Sequence, residues 1–341
     1  MVNVLMANGT LKVSSRTLIF FLIGIILILI AGLRPIGIDK DSLNYISVLH
    51  VSLSQANFID KEPAFWVINE INKVLFGGSE QTFFLIFAII GVSLKLYVIR
   101  QYSVTPILSL LTYVSMFFIL QEMTQIRAGV AIGFVFLALH DLERKRNISF
   151  VTKILIATLF HYSAIVMFML YFLSRNKINS FFYFSLPLVG LFFSYTNVML
   201  EIMYQSVSIL PDFLSAKIHI YLSLMEQGKI KQVNPVNIGN LFLLCIYYLN
   251  LYIATNKQNF EVKEGYYLLC IKLLGFGFFI LFSFSFLEVF AYRMANYLFF
   301  SLVFLLPIIA QYFRQKILFI ALIGIYLIYT LAKNSIAMLN F

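Results

Sequence analysis

Apolar runs recur from one end of this chain to the other, separated by short polar stretches. Thr17 to Leu33, Phe83 to Ile99, Ile238 to Ala254, Tyr266 to Phe284 and Ile317 to Ala332 are long and almost uncharged. Each approaches the roughly 20 residues that cross a bilayer as a helix. Backbone in hydrocarbon must satisfy its own hydrogen bonds, so runs of this kind read as helices. Ile107 to Leu120, Ala128 to Leu139, Phe150 to Phe160, Ser163 to Leu173, Phe181 to Tyr195 and Tyr297 to Ala310 add shorter candidates. Together they predict an all-α, polytopic integral membrane protein with about eleven spans, a count that rests on the length rule. Residues 1–341 then form one membrane domain.

Composition closes off other classes. Of 341 residues, 61% are hydrophobic and 12% are charged, against about 25% charged in a soluble domain. A soluble enzyme, a disordered chain and a nucleic-acid-binding domain are excluded. The net charge is +10, and its distribution sets orientation. Lys12 and Arg16 precede the first run, which reads as a retained span with a cytoplasmic N-terminus. Phe150 to Leu173 reads as a broken hairpin turning at His161. That reading gathers Arg100, Arg144, Lys145, Arg146, Arg175 and Lys177, with Lys257, Lys263 and Arg314, on the N-terminal side. The other side stays near neutral, the pattern of a positive inside.

Two outer segments are long. The first, 34–82, holds an amphipathic stretch, Ala64 to Phe76, that suits an interfacial or re-entrant helix. The second, 196–237, reads as a loop or lid. Gly77-Gly78 signals a turn, and Gly129 with Gly133 forms a small-xxx-small packing pair. Cys245 and Cys270 lie in apolar runs and offer neither a disulfide framework nor a metal spacing. No phosphate-binding glycine loop and no metal motif occurs, so no metal and no cofactor is expected.

Polar residues near span ends fall on the outer side. Arg34, Arg127, His161 and Arg293 are expected to face it together, with Asp39, Glu62, Glu122 and Glu288 nearby. Arginines at span ends often snorkel to lipid phosphates, a histidine can sit satisfied in a core, and Arg293 can pair with Glu288. Taken together, the arginines can clamp a phosphate or pyrophosphate, and a carboxylate or His161 can accept a hydroxyl proton. Anion transporters also gather arginines. However, the midplane is nearly bare apart from Lys272, and no inverted repeat is visible.

Five blocks carry a family likeness: Leu33-Arg34-Pro-Ile-Gly37-Ile-Asp39 with Tyr45, Glu62-Pro63-Ala-Phe65, Ile126-Arg127, Ala157-x-x-Phe160-His161-Tyr162-Ser163, and Tyr292-Arg293-Met-Ala-Asn-Tyr297. In order and spacing the chain resembles the EpsG-like branch of the Wzy-type polysaccharide (O-antigen) polymerases. The resemblance implies a glycosyltransferase of the bacterial inner membrane, similar in architecture to the C-type (GT-C) glycosyltransferases, with its active site facing the periplasm. It implies metal-independent joining of oligosaccharide repeat units carried on undecaprenyl pyrophosphate, donor and acceptor alike. A flippase and a chain-length regulator of the same pathway are the implied partners, besides membrane lipid. Under that resemblance Glu62, His161 or Asp39 is the general base. Arg127 and Arg293, helped by Arg34, bind pyrophosphate, and Tyr45, Tyr162 and Tyr292 stack on sugar. An O-antigen ligase and a lipid-linked sugar transporter or flippase are the alternatives.

Overall fold

A computed structural model describes residues 6–7, 10–11, 15–39, 41–58, 60–210, 212–229, 232–256, 264–313 and 315–339. Lys12, Lys257, Lys263 and Arg314 lie outside them. Apart from a short antiparallel ladder of β1 (Met6–Ala7) and β2 (Thr10–Leu11), the described regular structure is helical. The elements are α1 (Ser15–Gly32), α2 (Ser42–Ile46), α3 (Pro63–Phe76), α4 (Glu80–Tyr102), α5 (Pro106–Tyr113), α6 (Ile126–Glu143), α7 (Asn147–Phe160) and α8 (Ser180–Ser194). They continue as α9 (Val198–Ser206), α10 (Asp212–Glu226), α11 (Ile238–Asn256), α12 (Glu264–Ser283), α13 (Glu288–Phe299), α14 (Leu302–Tyr312) and α15 (Lys316–Leu339).

The chain is an all-α, multi-pass membrane protein. Five described helices are long and apolar enough to cross, or seven if each bent pair counts as one span. The pairs are α8 with α9, bent by 80°, and α13 with α14, bent by 54°. Length and composition therefore support five to seven crossings, against the eleven expected. The other apolar runs form shorter helices, among them Thr17–Gly32, Asn147–Phe160 and Tyr162–Phe172. The core lies where α12, α14 and α6 meet, with Phe136, Leu269, Phe278, Phe300 and Leu305 fully buried. The α15 face is largely exposed apolar surface, as lipid contact requires.

Two irregularities position the functional residues. Val114–Thr124 continues α5 as a π-helix, and Gln125 N–H bonds to Leu120 O, five residues back, at 2.7 Å. Such segments concentrate at functional sites. The second irregularity is the break at His161. α7 ends there and a 3₁₀ helix, Tyr162–Phe172, runs back against it. Asn147, at the start of α7, reaches Tyr171 Oη (3.4 Å) and Arg175 (3.3 Å), so the far ends meet again. At 1.5 Å per residue the α-limb is about 21 Å long. At about 2.0 Å per residue the shorter 3₁₀ limb is about 22 Å. The change of helix type matches limbs of unequal residue number.

In the first outer segment, α3 covers the amphipathic stretch. Pro63 opens it, where a missing N–H costs nothing. Gly77 (φ 66°) and Gly78 (φ 76°) close it in the left-handed region, and Gly78 N–H returns to Asn72 O at 3.2 Å. Segment 196–237 is mostly helical. α9 and α10 pack Met203 and Leu222 on Leu287, at the turn into α13.

Candidate functional site

Glu62 is the residue before α3, with extended backbone. Its carboxylate leaves its own helix uncapped and binds two other elements. Oε1 accepts from His161 Nδ1 at 2.6 Å and from the Tyr162 amide at 3.4 Å, while Oε2 accepts from Arg127. Only 5% of that side chain is exposed. Arg127 stands in the first turn of α6, its guanidinium 5.5 Å from the centre of the Tyr45 ring. The Arg127 Nε is buried without a hydrogen-bond partner among the described residues. The His161 ring lies parallel to Tyr297, 6.3 Å between centroids, and Ser163 Oγ donates to Tyr297 Oη at 3.3 Å.

These groups border a cavity of about 50 Å³. Asp41, Tyr45, Gln125, Arg127, His161 and Arg293 line it, with Asn296 and Tyr297 behind. That volume takes a few waters or one phosphoryl group, so a saccharide must lie beyond the mouth. Arg293 is exposed and makes no ion pair with a described residue, Glu288 included. The cavity lining therefore brings a further cation, Arg293, together with Arg127 and His161.

Charge tuning follows the geometry. Burial would push the Glu62 carboxyl up, but the His161 hydrogen bond and the Arg127 charge outweigh it and hold the group below its usual range. Burial raises Asp41, which Arg293 only partly offsets. Burial pushes the Tyr45 phenol up to about 12, so it stays protonated. Burial, seconded by Arg127, lowers Lys61. A carboxylate bonded to imidazole Nδ1 fixes the ring and leaves Nε2 as the acceptor, the arrangement of a proton-transfer dyad.

The model of the EpsG family matches residues 17–339, nearly the whole chain. The chain belongs to the EpsG family. Comparison with curated proteins and with solved structures found no match. EpsG membership points to a glycosyltransferase-like polysaccharide polymerase of the membrane.

Of the residues the sequence singled out in this EpsG-family chain, His161, Arg127, Arg293 and Tyr45 line the cavity, and Glu62 joins them through its bonds to Arg127 and His161. Arg34 and Asp39 do not line it. They pair with each other at 3.2 Å with side chains 2% and 1% exposed. Arg34 also donates to Ala31 O at 2.6 Å and lies over the Phe84 ring. Asp39 Oδ1 accepts from the amides of Asp41 and Ser42 at 3.1 and 3.0 Å, which seats α2. Tyr162 spends its hydroxyl on Phe58 O at 2.6 Å, and Tyr292 is half-buried away from the cavity.

Asp41, Gln125, Asn296 and Tyr297 border the site without having stood out as site residues. Asp41 lies two residues from the expected Asp39, and Asn296 and Tyr297 are the last two residues of the Arg293 block. Glu122 differs more. Expected in a surface turn, it is 2% exposed and bonds Lys95 inside the bundle. Lys95 also donates to Gly129 O at 2.8 Å, in the first turn of α6. Gly91 leaves space for the Glu122 carboxylate, and Gly129 lets the Gln121 carbonyl approach where any Cβ would collide. Glycine at 129 is thus a close-approach position beside Arg127.

Proposed function

We propose that this chain joins polysaccharide repeat units by glycosyl transfer from a polyprenyl-pyrophosphate donor, undecaprenyl pyrophosphate in a bacterial inner membrane. The site would face the periplasm, opposite the basic loops, in an architecture of the C-type glycosyltransferases. The observation that carries this reading is the Glu62–His161–Arg127 cluster opening, through Arg127 and His161, onto a cavity that Arg293 also lines.

In the proposed step the acceptor sugar hydroxyl attacks the anomeric carbon of the donor. A new C–O bond forms, the bond from that carbon to the pyrophosphate oxygen breaks, and the hydroxyl proton passes to His161 Nε2. Glu62 holds the ring and stabilises the imidazolium that results. Arg293 and Arg127, which both line the cavity, take the charge developing on the leaving pyrophosphate. This assigns base and orienting group to two residues that the sequence ranked as rivals. It assigns Arg34 and Asp39 to holding the loop that carries Asp41 and Tyr45. With hairpin limbs of about 21 Å against a hydrocarbon core of about 30 Å, the His161 tip sits below the outer surface, where bulk water is scarce. Scarce water favours transfer over hydrolysis.

Deletion in the native cell, complemented with wild type, His161→Ala or Arg293→Ala at matched membrane levels, tests this. A deletion that leaves single repeat units on the acceptor, with the long-chain ladder restored by wild type alone, supports a polymerase. Long lipid-linked polymer failing to reach its acceptor would make the protein a ligase. Repeat units trapped on the cytoplasmic side would make it a flippase.

A further inference from the structure

The end of the hairpin remote from His161 carries features that the proposed chemistry leaves unused. Between the limbs lies a groove of about 400 Å³ lined by Asn147, Ile148, Val151, Phe168, Tyr171 and Phe172. That volume is within the usual range of ligand sites, roughly 300–1,000 Å³. Its lining is mostly apolar and outward-facing, with Ile148 86% and Phe172 84% exposed. Across Tyr171 and Phe172 the groove runs into a second recess of about 440 Å³, lined by Ser174, Arg175, Asn176 and Lys177. An apolar trough therefore ends at a cationic mouth.

The mouth is built. Lys272 of α12, 1% exposed, donates to the carbonyls of Ser174 and Lys177, the latter at 2.6 Å. Lys177 N–H bonds Ser174 Oγ at 3.3 Å, and Arg175 bridges to Asn147. The turn from Ser174 to Lys177 is thus held from inside the bundle. Among the described residues its charge also has no ion-pair partner. Of the nearby described acids, Asp141 is ion-paired with Lys153 and Glu143 is hydrogen-bonded to His140 Nδ1. Arg144, Lys145, Arg146, Arg175 and Lys177 make no ion pair with a described residue.

We infer that this groove binds an anionic glycerophospholipid. An acyl chain lies between Ile148, Val151, Phe168 and Phe172, and the headgroup phosphate sits on Arg175 and Lys177. Basic pockets between spans on the positive side suit such headgroups, and a neutral zwitterionic lipid with the same chains lacks the matching net charge. A bound chain would lie along the end of the hairpin remote from His161.

The test uses the full chain in detergent, titrated with phosphatidylglycerol or phosphatidylcholine of identical acyl chains and read by native mass spectrometry. Wild type should retain phosphatidylglycerol roughly thirtyfold better, the effect expected of two basic side chains at about 1 kcal/mol each near a membrane surface. Arg175→Ala with Lys177→Ala should abolish that preference, whereas Lys229→Ala, on an exposed turn elsewhere, should not. Val151→Trp fills the trough and keeps the charges, so it should also lose the bound lipid. Melting in phosphatidylcholine confirms that each variant is folded. Equal retention of the two lipids by wild type would overturn the inference. So would a preference that survives Val151→Trp, which would mean surface charge without a site. Undecaprenyl phosphate displacing phosphatidylglycerol at equal concentration would overturn the phospholipid assignment.

Discussion

Two carboxylate–cation pairs flank the start of α6, and they differ in what can reach them. Glu122–Lys95 is sealed, with side chains 1% and 0% exposed. In Glu62–Arg127 the arginine lines the cavity, as does the third member of the cluster, His161, which is 26% exposed. Lys95 grips the Gly129 carbonyl, two residues from Arg127. The same pairing therefore serves two ends. Inside the bundle it locks a helix turn, and at the cavity it holds groups that can meet a substrate.

The largest effect should come from breaking the sealed pair. Lys95→Met strands a buried carboxylate and should cost about 3–5 kcal/mol of stability, whereas Lys95→Met with Glu122→Leu should recover most of it. Thermal unfolding in detergent checks this, and a double variant no more stable than the single one would contradict the comparison. At the open pair the expected loss is in activity with stability largely kept. His161→Ala should lower polymer formation by about 10²–10⁴, the usual worth of a general base. Adding Glu62→Gln to His161→Ala should do little more, because Glu62 acts through the ring. A further multiplicative loss in isolated membranes would separate the two roles.

Arg293 sharpens the contrast further, being a cation that makes no ion pair with a described residue. Arg293→Ala should cost roughly 10²-fold in polymer formation, with Arg293→Lys recovering part of it, since charge returns but the planar fork does not. Equal activity of both variants and wild type would remove Arg293 from the site. The smallest effect is with pH. The Glu62 carboxyl is held below its usual value of 4.5 by His161 and Arg127 against the opposing effect of burial. Its contribution to stability is therefore complete above about pH 4.5 and fades as pH falls through the lowered value. The melting difference between wild type and Glu62→Gln should be flat at neutral pH and shrink in acid.

Much of the arrangement was legible along the chain. Apolar runs locate helices because lipid leaves backbone no other partner, and α3, α4, α11, α12 and α15 fall where those runs lie. Pro63 and Gly77 mark the ends of α3 by local conformational preference alone. Glu62, Arg127, His161 and Arg293 stand out as polar groups at the edges of apolar sequence. Lys95 and Glu122 could not be matched to each other, because 27 residues and a π-helical stretch separate them. The spacing of Asp39 and Asp41 says nothing about which carboxylate turns to the cavity. Backbone amides claim Asp39, and Asp41 is left facing Arg293.

By itself the sequence determined a helical membrane protein and the residue types available for chemistry, since hydropathy acts locally along the chain. The tertiary structure decided which of those residues work together. Pairings such as Glu62 with His161, 99 residues apart, arise from how helices pack, and packing depends on the whole set of side chains at once. It also decided that Arg34 and Asp39 are used up on each other, leaving Arg127 and Arg293 to face the cavity.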